Sequence, residues 1–261
     1  MILAIIRRDF LVTRSYRLPF ILDFVFGILN LAVFFFISRT FEGIATAELG
    51  GAPSYFAFAA IGIAITVVID AASTALAGRI REEQLTGTLE ALLVQPVTVN
   101  EISFGLAGFP FLFAMIRAVF YLAIAGVWLE VDLSQASLLG FVIVLATAGA
   151  AFSALGILLG GLVLVVKRGQ VVVGMVIYGM GLISGAFFPV SVLPDWIEPL
   201  GRVVPTRFAF DGLRSAVFQG AGWWDDALAL LLFSLVGVPI AVWVFRQALG
   251  YSRRSGSLTQ Y

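Results

Sequence analysis

The chain has 261 residues, of which 61% are apolar and 12% charged, and its sixteen basic residues balance its sixteen acidic ones. Soluble domains are about 45–50% apolar, so the composition favours an all-α integral membrane protein, and the absence of net charge argues against nucleic acid as a partner. The chain has neither cysteine nor histidine, which excludes disulfides, thiolate or imidazole metal sites, and Ser-His or Cys-His nucleophilic pairs.

The N-terminal segment, residues 1–18, is predicted to form a helix on the membrane surface. Ile2, Leu3, Ile6 and Phe10 fall on one arc at helical spacing. Four arginines flank this arc and are suited to reach lipid headgroups: Arg7, Arg8, Arg14 and Arg17. A plain basic flank beside the membrane explains these arginines equally well. Because the charges follow a short apolar stretch, we expect no cleaved signal peptide.

Six apolar runs between charged breaks are predicted as membrane spans, since about 20 residues cross a hydrocarbon core. They are residues 19–38, 55–78, 102–129, 136–166, 171–188 and 226–245. One membrane domain, residues 1–261, then accounts for the whole chain.

Basic residues in the loops predict the orientation. Eleven Lys and Arg residues fall on one side of the predicted spans and four on the other. We therefore expect both termini to be cytoplasmic, in a plasma membrane protein.

Residues 81–96, REEQLTGTLEALLVQP, form an unusually charged segment on the predicted cytosolic side. Gly87 is suited to begin a short helix, with Glu90 at its third position and Pro96 ending it. One face of this helix is apolar, with Leu89, Leu92 and Leu93. Such a helix suits docking into a groove on a soluble partner. We expect Glu82, Glu83 and Glu90 to need no buried partner in this chain. A solvated loop with one helical turn remains an alternative.

Residues 189–222 form the longest predicted external segment. Prolines at five- to six-residue spacing predict short turns or helices: Pro189, Pro194, Pro199 and Pro205. Apolar residues then follow at near-helical intervals: Phe208, Phe210, Leu213 and Val217. A compact external loop with a buried apolar face fits the same pattern.

Asp70 and Arg117 are charges that lie well inside predicted spans. Each costs at least ~2.5–3.5 kcal/mol at a helix centre, so we expect both to face the protein interior in structural roles. Whether they pair is left open. Two glycine pairs have the spacing of close helix contacts, Gly156 with Gly160 and Gly181 with Gly185.

Two segments carry a resemblance to a known family. The pattern R-E-E-x-x-T-G-T-L-E-x-L-L-x-x-P in residues 81–96 resembles the coupling-helix region of ABC-2-type transporter permeases. GAFFPVSVLPDWIEPLGRVVPTRFAFDGLR, residues 185–214, resembles that family's extracytoplasmic segment between spans five and six, and includes Trp196, Asp211 and Arg214. With six spans and a basic N-terminal segment, the resemblance covers nearly the whole chain.

The resemblance implies a permease subunit that pairs with a second permease and two cytosolic ATPase subunits, among membrane lipids. The N-terminal segment would be an interfacial helix, and the extracytoplasmic segment would dip into the outer leaflet. ATP and Mg would bind the ATPase, and this chain would hold no cofactor. The residues implied to couple to the ATPase are Glu82, Glu83, Gln84, Thr86, Gly87, Thr88, Leu89 and Glu90.

A separate ATPase is also expected because a P-loop needs G-x-x-x-x-G-K-[ST], and the only lysine, Lys167, lies between valine and arginine. A secondary transporter or channel using Asp70 and Arg117 is the alternative, although it leaves residues 81–96 unexplained. An intramembrane hydrolase is disfavoured, since histidine, HExxH and G-x-S-x-G are all absent. We expect a hydrophobic or amphipathic substrate: a drug, lipid or glycoconjugate.

Overall fold

Helices form the regular structure in the described part of the chain, and that part contains no strand. A computed structural model describes residues 2–15, 17–40, 49, 51–87, 99–129, 131–166 and 169–255. The long helices are α1 (Ile2–Ser15), α2 (Arg17–Thr40), α3 (Tyr55–Leu85), α4 (Val99–Trp128), α5 (Leu138–Val165) and α6 (Gly169–Ile183). A 3-10 turn (Val190–Val192), α7 (Glu198–Val203), α8 (Pro205–Arg214), a π turn (Ser215–Gln219) and α9 (Trp224–Ser255) follow.

Five described helices are long and apolar enough to cross a membrane: α2, α3, α4, α5 and α9. The predicted span 171–188 coincides with α6, which has only 15 residues and is about 22 Å long at ~1.5 Å per residue. This helix ends early because Gly185 adopts a positive φ of 86°, a conformation that commonly terminates helices.

α3 is the central helix of the bundle, and 78% of its most apolar window is buried. It packs between α4 and α5, while α9 covers α5 and α2 lies at the edge. Gly156 of α5 allows the two central backbones to approach, since a side-chain carbon there would overlap the Ala72 carbonyl oxygen of α3. An added carbon at Gly160 would make a tight contact, at 3.2 Å, with the Leu76 side chain of α3.

Among the described residues, the second glycine pair mediates no close helix contact. A side chain at Gly181 would meet no atom within 4 Å, and Gly185 lies in the turn after α6. The prediction of a close contact is therefore right for Gly156 and Gly160, and wrong within this chain for Gly181 and Gly185.

The bundle has two distinguishable ends. At the first, which we call the α1 end, α1 packs on α4, with Ile5 against Gly105, and the Ser252 hydroxyl of α9 donates to the Leu164 carbonyl of α5 at 3.2 Å. At the opposite end, the α8 end, α8 packs against α3, α5 and α9.

Exposed tryptophans mark both ends of the apolar region. Trp128, Trp196 and Trp224 are exposed at the α8 end. Trp243 of α9 is also exposed, nineteen residues beyond Trp224 and so about 28 Å along the helix axis. This separation is close to the ~30 Å hydrocarbon thickness, as expected for aromatic belts at the two membrane interfaces.

Candidate functional site

A buried carboxylate anchors α1 at the α1 end of the bundle. Asp9 is only 2% exposed, and a buried charge requires a compensating partner. Its Oδ2 lies 3.3 Å from the Arg79 Nη2 of α3, and the Arg8 Nε donates to its Oδ1 at 3.1 Å. Since Ile5 and Asp9 are four residues apart on the face that packs inward, the apolar and the ionic contacts hold the same side of α1.

The last turns of α3 extend this contact into a group of five charges. Arg79 also donates to Glu82 at 2.8 Å, and Arg8 Nη1 lies 3.7 Å from the Glu83 Oε1. Arg79, Glu82 and Glu83 share one face because they follow i, i+3, i+4 spacing. We call Arg8, Asp9, Arg79, Glu82 and Glu83 the α1–α3 ion-pair cluster. It holds two positive and three negative groups.

The cluster gives Glu82 and Glu83 partners that the sequence did not indicate. The sequence predicts that neither needs a buried partner within this chain, and each pairs with an arginine that keeps some exposure, Glu82 with Arg79 (28%) and Glu83 with Arg8 (48%). The Glu83 side chain is only 15% exposed, whereas that of Glu82 is 61% exposed. The pattern of residues 81–96 gave no indication of Asp9 and Arg79, which lie outside it.

The remaining residues of the predicted coupling segment lie just beyond this cluster. The Thr86 hydroxyl donates to the Glu82 carbonyl at 2.9 Å. Gly87 has a φ of 72° and stands two residues after the end of α3, where such a glycine stops a helix. The Gln84 side chain and residues 88–98, which include Thr88, Leu89 and Glu90, lie outside what the structure describes. The predicted short helix therefore stays a prediction.

The basic residues of the N-terminal segment divide into two groups. Arg8 joins the ion-pair cluster, whereas Arg7, Arg14 and Arg17 are exposed. The apolar Leu3 and Phe10 are also exposed on α1. An α1 that packs inward through Ile5 and Asp9 thus leaves both apolar and basic side chains on its outer surface.

Arg117 pairs with an acid that sequence reasoning missed. Its Nη1 lies 3.5 Å from the Asp23 Oδ2 of α2, and its Nε donates to the Tyr121 hydroxyl at 3.2 Å. That hydroxyl in turn donates to the Asp23 carbonyl at 3.0 Å. Arg117 is 19% exposed and largely faces the interior, as predicted.

Asp70 does not face the interior of this chain. Its side chain is exposed, and it forms no ion pair within the described residues. The expectation that both intramembrane charges face inward is therefore wrong for Asp70. The physical reason is its place on α3: Asp70 lies on the side of this helix where Thr66 and Thr74, one turn before and after it, are also only partly buried.

Arg214 holds the α8 end together. It is buried, lies 3.5 Å above the Phe58 ring of α3, and donates to the Gly185 carbonyl after α6 at 2.8 Å. Burial lowers the pKa of Arg214 to about 9, partly offset by the nearby Asp211 carboxylate. The guanidinium therefore remains charged at neutral pH and links α8 to α3 and α6.

The rest of the predicted external segment surrounds this arginine. Pro189 precedes the 3-10 turn and Pro205 begins α8, while Pro194 and Trp196 are exposed on the surface. Phe210, Leu213 and Val217 are buried, so the predicted apolar face packs against the bundle. A cavity of about 500 Å³ lies beside it, lined by charged residues from α7 and α8: Glu198, Arg202, Arg207, Asp211 and Arg214.

Comparison with known proteins assigns this arrangement to a family. The family described as ABC-2 type transporter matches residues 1–218. Two curated relatives named "Probable multidrug ABC transporter permease YbhR", from Escherichia coli strain K12 and from Escherichia coli O157:H7, are 27% identical over 173 residues. This match covers 64% of the present chain and 46% of each relative. The chain thus spans about half the length of the curated relatives it matches.

Proposed function

Because this chain belongs to the ABC-2 type transporter family, we propose that it is the membrane-spanning permease subunit of an ATP-driven exporter. In this proposal it binds a cytosolic ATPase, pairs with a second permease subunit, and moves a hydrophobic or amphipathic substrate out of the cytoplasm or the inner leaflet. Its two curated relatives are named as probable multidrug permeases, which supports a substrate of this kind.

The observation that carries the proposal is the α1–α3 ion-pair cluster. Asp9 and Arg79 join α1 rigidly to the last turns of α3, directly before the segment that resembles a coupling helix. A force applied to that segment would therefore reach α3, the central helix of the bundle, and α1 at the same time. Such a rigid connection between α1 and α3 is suited to transmit closure of the ATPase to the membrane spans.

The charge of the cluster also supports a cytosolic partner. The Glu82 side chain is 61% exposed at the edge of the cluster. A basic or amide-bearing groove on an ATPase could bind this carboxylate through charge-assisted hydrogen bonds. The α1 end would then face the cytosol, in agreement with the distribution of basic residues, and both termini would be cytoplasmic.

We further propose that α6 is a sixth, short span. Its first residue, Gly169, bonds to the Val166 carbonyl at the end of α5, at 2.9 Å. Its far end leads to Gly185, which Arg214 holds at the α8 end. A helix of 15 residues is shorter than the hydrocarbon core, and local thinning or snorkelling of flanking residues accommodates such a mismatch at modest cost.

The proposal is tested by purification of the tagged permease from membranes, with detection of co-purifying Mg-dependent ATPase activity. We expect the wild-type permease to carry a P-loop ATPase subunit. Glu83→Lys should reduce the co-purifying ATPase activity by roughly tenfold or more, which corresponds to the loss of one or two charge-assisted contacts. Glu198→Lys, a charge reversal at the α8 end, is the matched control and should retain the ATPase.

Two outcomes would count against this account. A folded wild-type permease that carries no ATPase would contradict the proposed exporter. Equal ATPase recovery with the wild type and with Glu83→Lys would contradict the coupling role of the ion-pair cluster.

A secondary transporter is the second candidate, because charged groups lie within the spans. In the described spans, however, Arg117 is bound to Asp23 and Tyr121 and forms no ion pair with Asp70. Transport driven by a proton gradient without ATP would favour this alternative.

A further inference from the structure

Asp70 occupies an unusual position for a charged residue. It is the sixteenth of the 31 residues of α3, so it lies near the middle of a span, and its side chain is exposed. α3 is otherwise largely buried, with 78% of its most apolar window inside the bundle. One uncovered side of the central helix therefore carries a carboxylate at mid-membrane depth.

This side of α3 is polar beyond Asp70 itself. Thr66 and Thr74 lie one turn before and one turn after it, and both are half-buried. Their hydroxyls donate to carbonyls of their own helix, Thr66 to Gly62 at 2.7 Å and Thr74 to Asp70 at 2.8 Å. Neither hydroxyl hydrogen is thus directed to the Asp70 carboxylate. The half-buried Val67 and Ala71 lie beside the strip.

An Asp70 carboxylate that stays ionised on this surface requires a positive partner. Contact with acyl chains would cost at least ~2.5–3.5 kcal/mol, so the strip must face something other than lipid. Arg117 attracts Asp70 only through space, since its own contacts are to Asp23 and Tyr121. The structure therefore leaves a carboxyl group at mid-membrane depth with no ion-pair partner among the described residues, and a cationic ligand would stabilise its ionised form.

We propose that Asp70 is the recognition site for the positive group of an organic cation, and that this permease exports cationic amphiphiles. The inference rests on the proposed export function and specifies its substrate class. The carboxylate would bind the cationic group of the substrate, while its apolar body lies along Val67 and Ala71 on the same face. Neutral lipids and anionic glycoconjugates lack the group that this site would select.

A metal ion is a poorer occupant. Hard cations such as Ca²⁺ take six to eight oxygen ligands and Mg²⁺ takes near-octahedral coordination, whereas the described neighbours of Asp70 offer one carboxylate and two hydroxyls. An organic cation is weakly hydrated and needs a single counter-charge within an apolar surround.

A second copy of this chain is also a poorer occupant. In the described spans, Arg117 is the basic residue nearest mid-depth, and it is already paired with Asp23. The other basic residues of these spans lie toward the span ends: Arg39, Arg79, Arg81 and Arg246. Within the described spans, a symmetric partner would thus bring no further mid-depth positive charge to Asp70.

The test uses two probes of the same shape and opposite charge, tetraphenylphosphonium and tetraphenylborate, with the full permease purified in lipid nanodiscs. We expect wild-type permease to bind the phosphonium more tightly than the borate. Asp70→Asn should weaken phosphonium binding by roughly tenfold or more, as expected for one lost charge-assisted contact, and leave borate binding nearly unchanged. Asp70→Glu should retain most of the preference. Asp225→Asn, which removes an exposed carboxylate at the α8 end, is the matched control and should behave as wild type.

Equal binding of both probes by the wild type, or phosphonium binding that Asp70→Asn does not change, would overturn the proposal. A change in oligomeric state with Asp70→Asn and unchanged phosphonium binding would assign the carboxylate to the permease interface and would also overturn it. Because binding is measured without the ATPase, this test is independent of the proposed coupling. An Asp70→Asn permease should still co-purify with its ATPase.

Discussion

At the scale of single residues, buried charges define the two ends of this molecule. Asp9 fixes α1 to α3 at one end, and Arg214 fixes α8 to α3 and α6 at the other. Both are ionisable groups with little access to solvent, so each is tolerated only because specific partners surround it. The sequence named Arg214 through its motif, but it gave no reason to single out Asp9.

Arg214→Lys provides a test at this scale. A lysine keeps the charge but loses the planar guanidinium that stacks on Phe58 and reaches carbonyls on α3 and after α6. We expect the free energy of unfolding to fall by roughly 2 kcal/mol or more, in the range of lost hydrogen bonds to a charged group. Thermal unfolding of the wild type and the variant in detergent measures this loss of stability.

Arg202→Lys is the matched control, because Arg202 is mostly exposed and pairs with Glu198 on the surface of α7. It should change stability by less than about 0.5 kcal/mol. If both variants were equally stable, the contacts of Arg214 would not hold the α8 end together.

Residue pairs inside the membrane show why partners are hard to read from sequence. Asp70 and Arg117 stand out as charges in apolar runs. Asp23 lies near the start of its span, so the sequence does not distinguish it from an ordinary charge at a membrane interface. Its pairing with Arg117 depends on how α2 lies against α4. Spacing along one helix carries no information about that angle, so the partner of Arg117 could only be found in the folded structure.

At the scale of helices, the close contact between α3 and α5 depends on a glycine, Gly156, at the point where the two backbones meet. Gly156→Ala places a methyl group against the Ala72 carbonyl, which must force the two central helices apart. Although alanine is favoured over glycine within a helix by about 0.5–1 kcal/mol, we expect a net loss of folded yield and of thermal stability.

Gly250→Ala in α9 is the matched control, since a side chain there meets no atom within 4 Å. This substitution should be neutral or slightly stabilising. Equal behaviour of the two alanine variants, measured by detergent size-exclusion and thermal unfolding, would show that α3 and α5 do not require the close approach.

The predicted helices differ most from the structure where turns and ends decide their length. The apolar run 171–188 continues past Ile183, but α6 ends there at the Gly185 turn, where the buried Arg214 donates to the Gly185 carbonyl. In contrast, α3 continues past the predicted residue 78 to Leu85, because Arg79, Glu82 and Glu83 form ion pairs along its extension at the α1 end. Hydropathy detects the apolar segment and not the polar turns that prolong a helix.

At the scale of the whole molecule, the account requires the two ends to face opposite sides of the membrane. The chain contains no cysteine, so single cysteines can be introduced without background. A membrane-impermeant maleimide should label Asp195→Cys at the α8 end in intact cells. It should label Arg14→Cys at the α1 end only after permeabilisation, and the reverse pattern would contradict the proposed orientation.

The helical membrane architecture was readable from the sequence because hydrophobicity reflects the bilayer directly, and five of the predicted spans coincide with long apolar helices. Resemblance in residues 81–96 and 185–214 named the family, which the match over residues 1–218 then established. The ion-pair cluster and the uncovered side of α3 were not readable, since both depend on which helix faces which. These two features are the basis of the proposed coupling and of the proposed substrate class.

ATP-driven movement of substrate is the central claim, and reconstitution tests it most directly. The permease and its co-purified ATPase would be placed in proteoliposomes with a cationic dye, rhodamine 6G, and a neutral dye, N-phenylnaphthylamine. Dye movement would be followed with Mg-ATP or with an imposed proton gradient. The account predicts movement of at least one dye with Mg-ATP alone, and its loss in Glu83→Lys. Movement driven by the proton gradient without ATP, or movement with ATP that Glu83→Lys leaves intact, would contradict it.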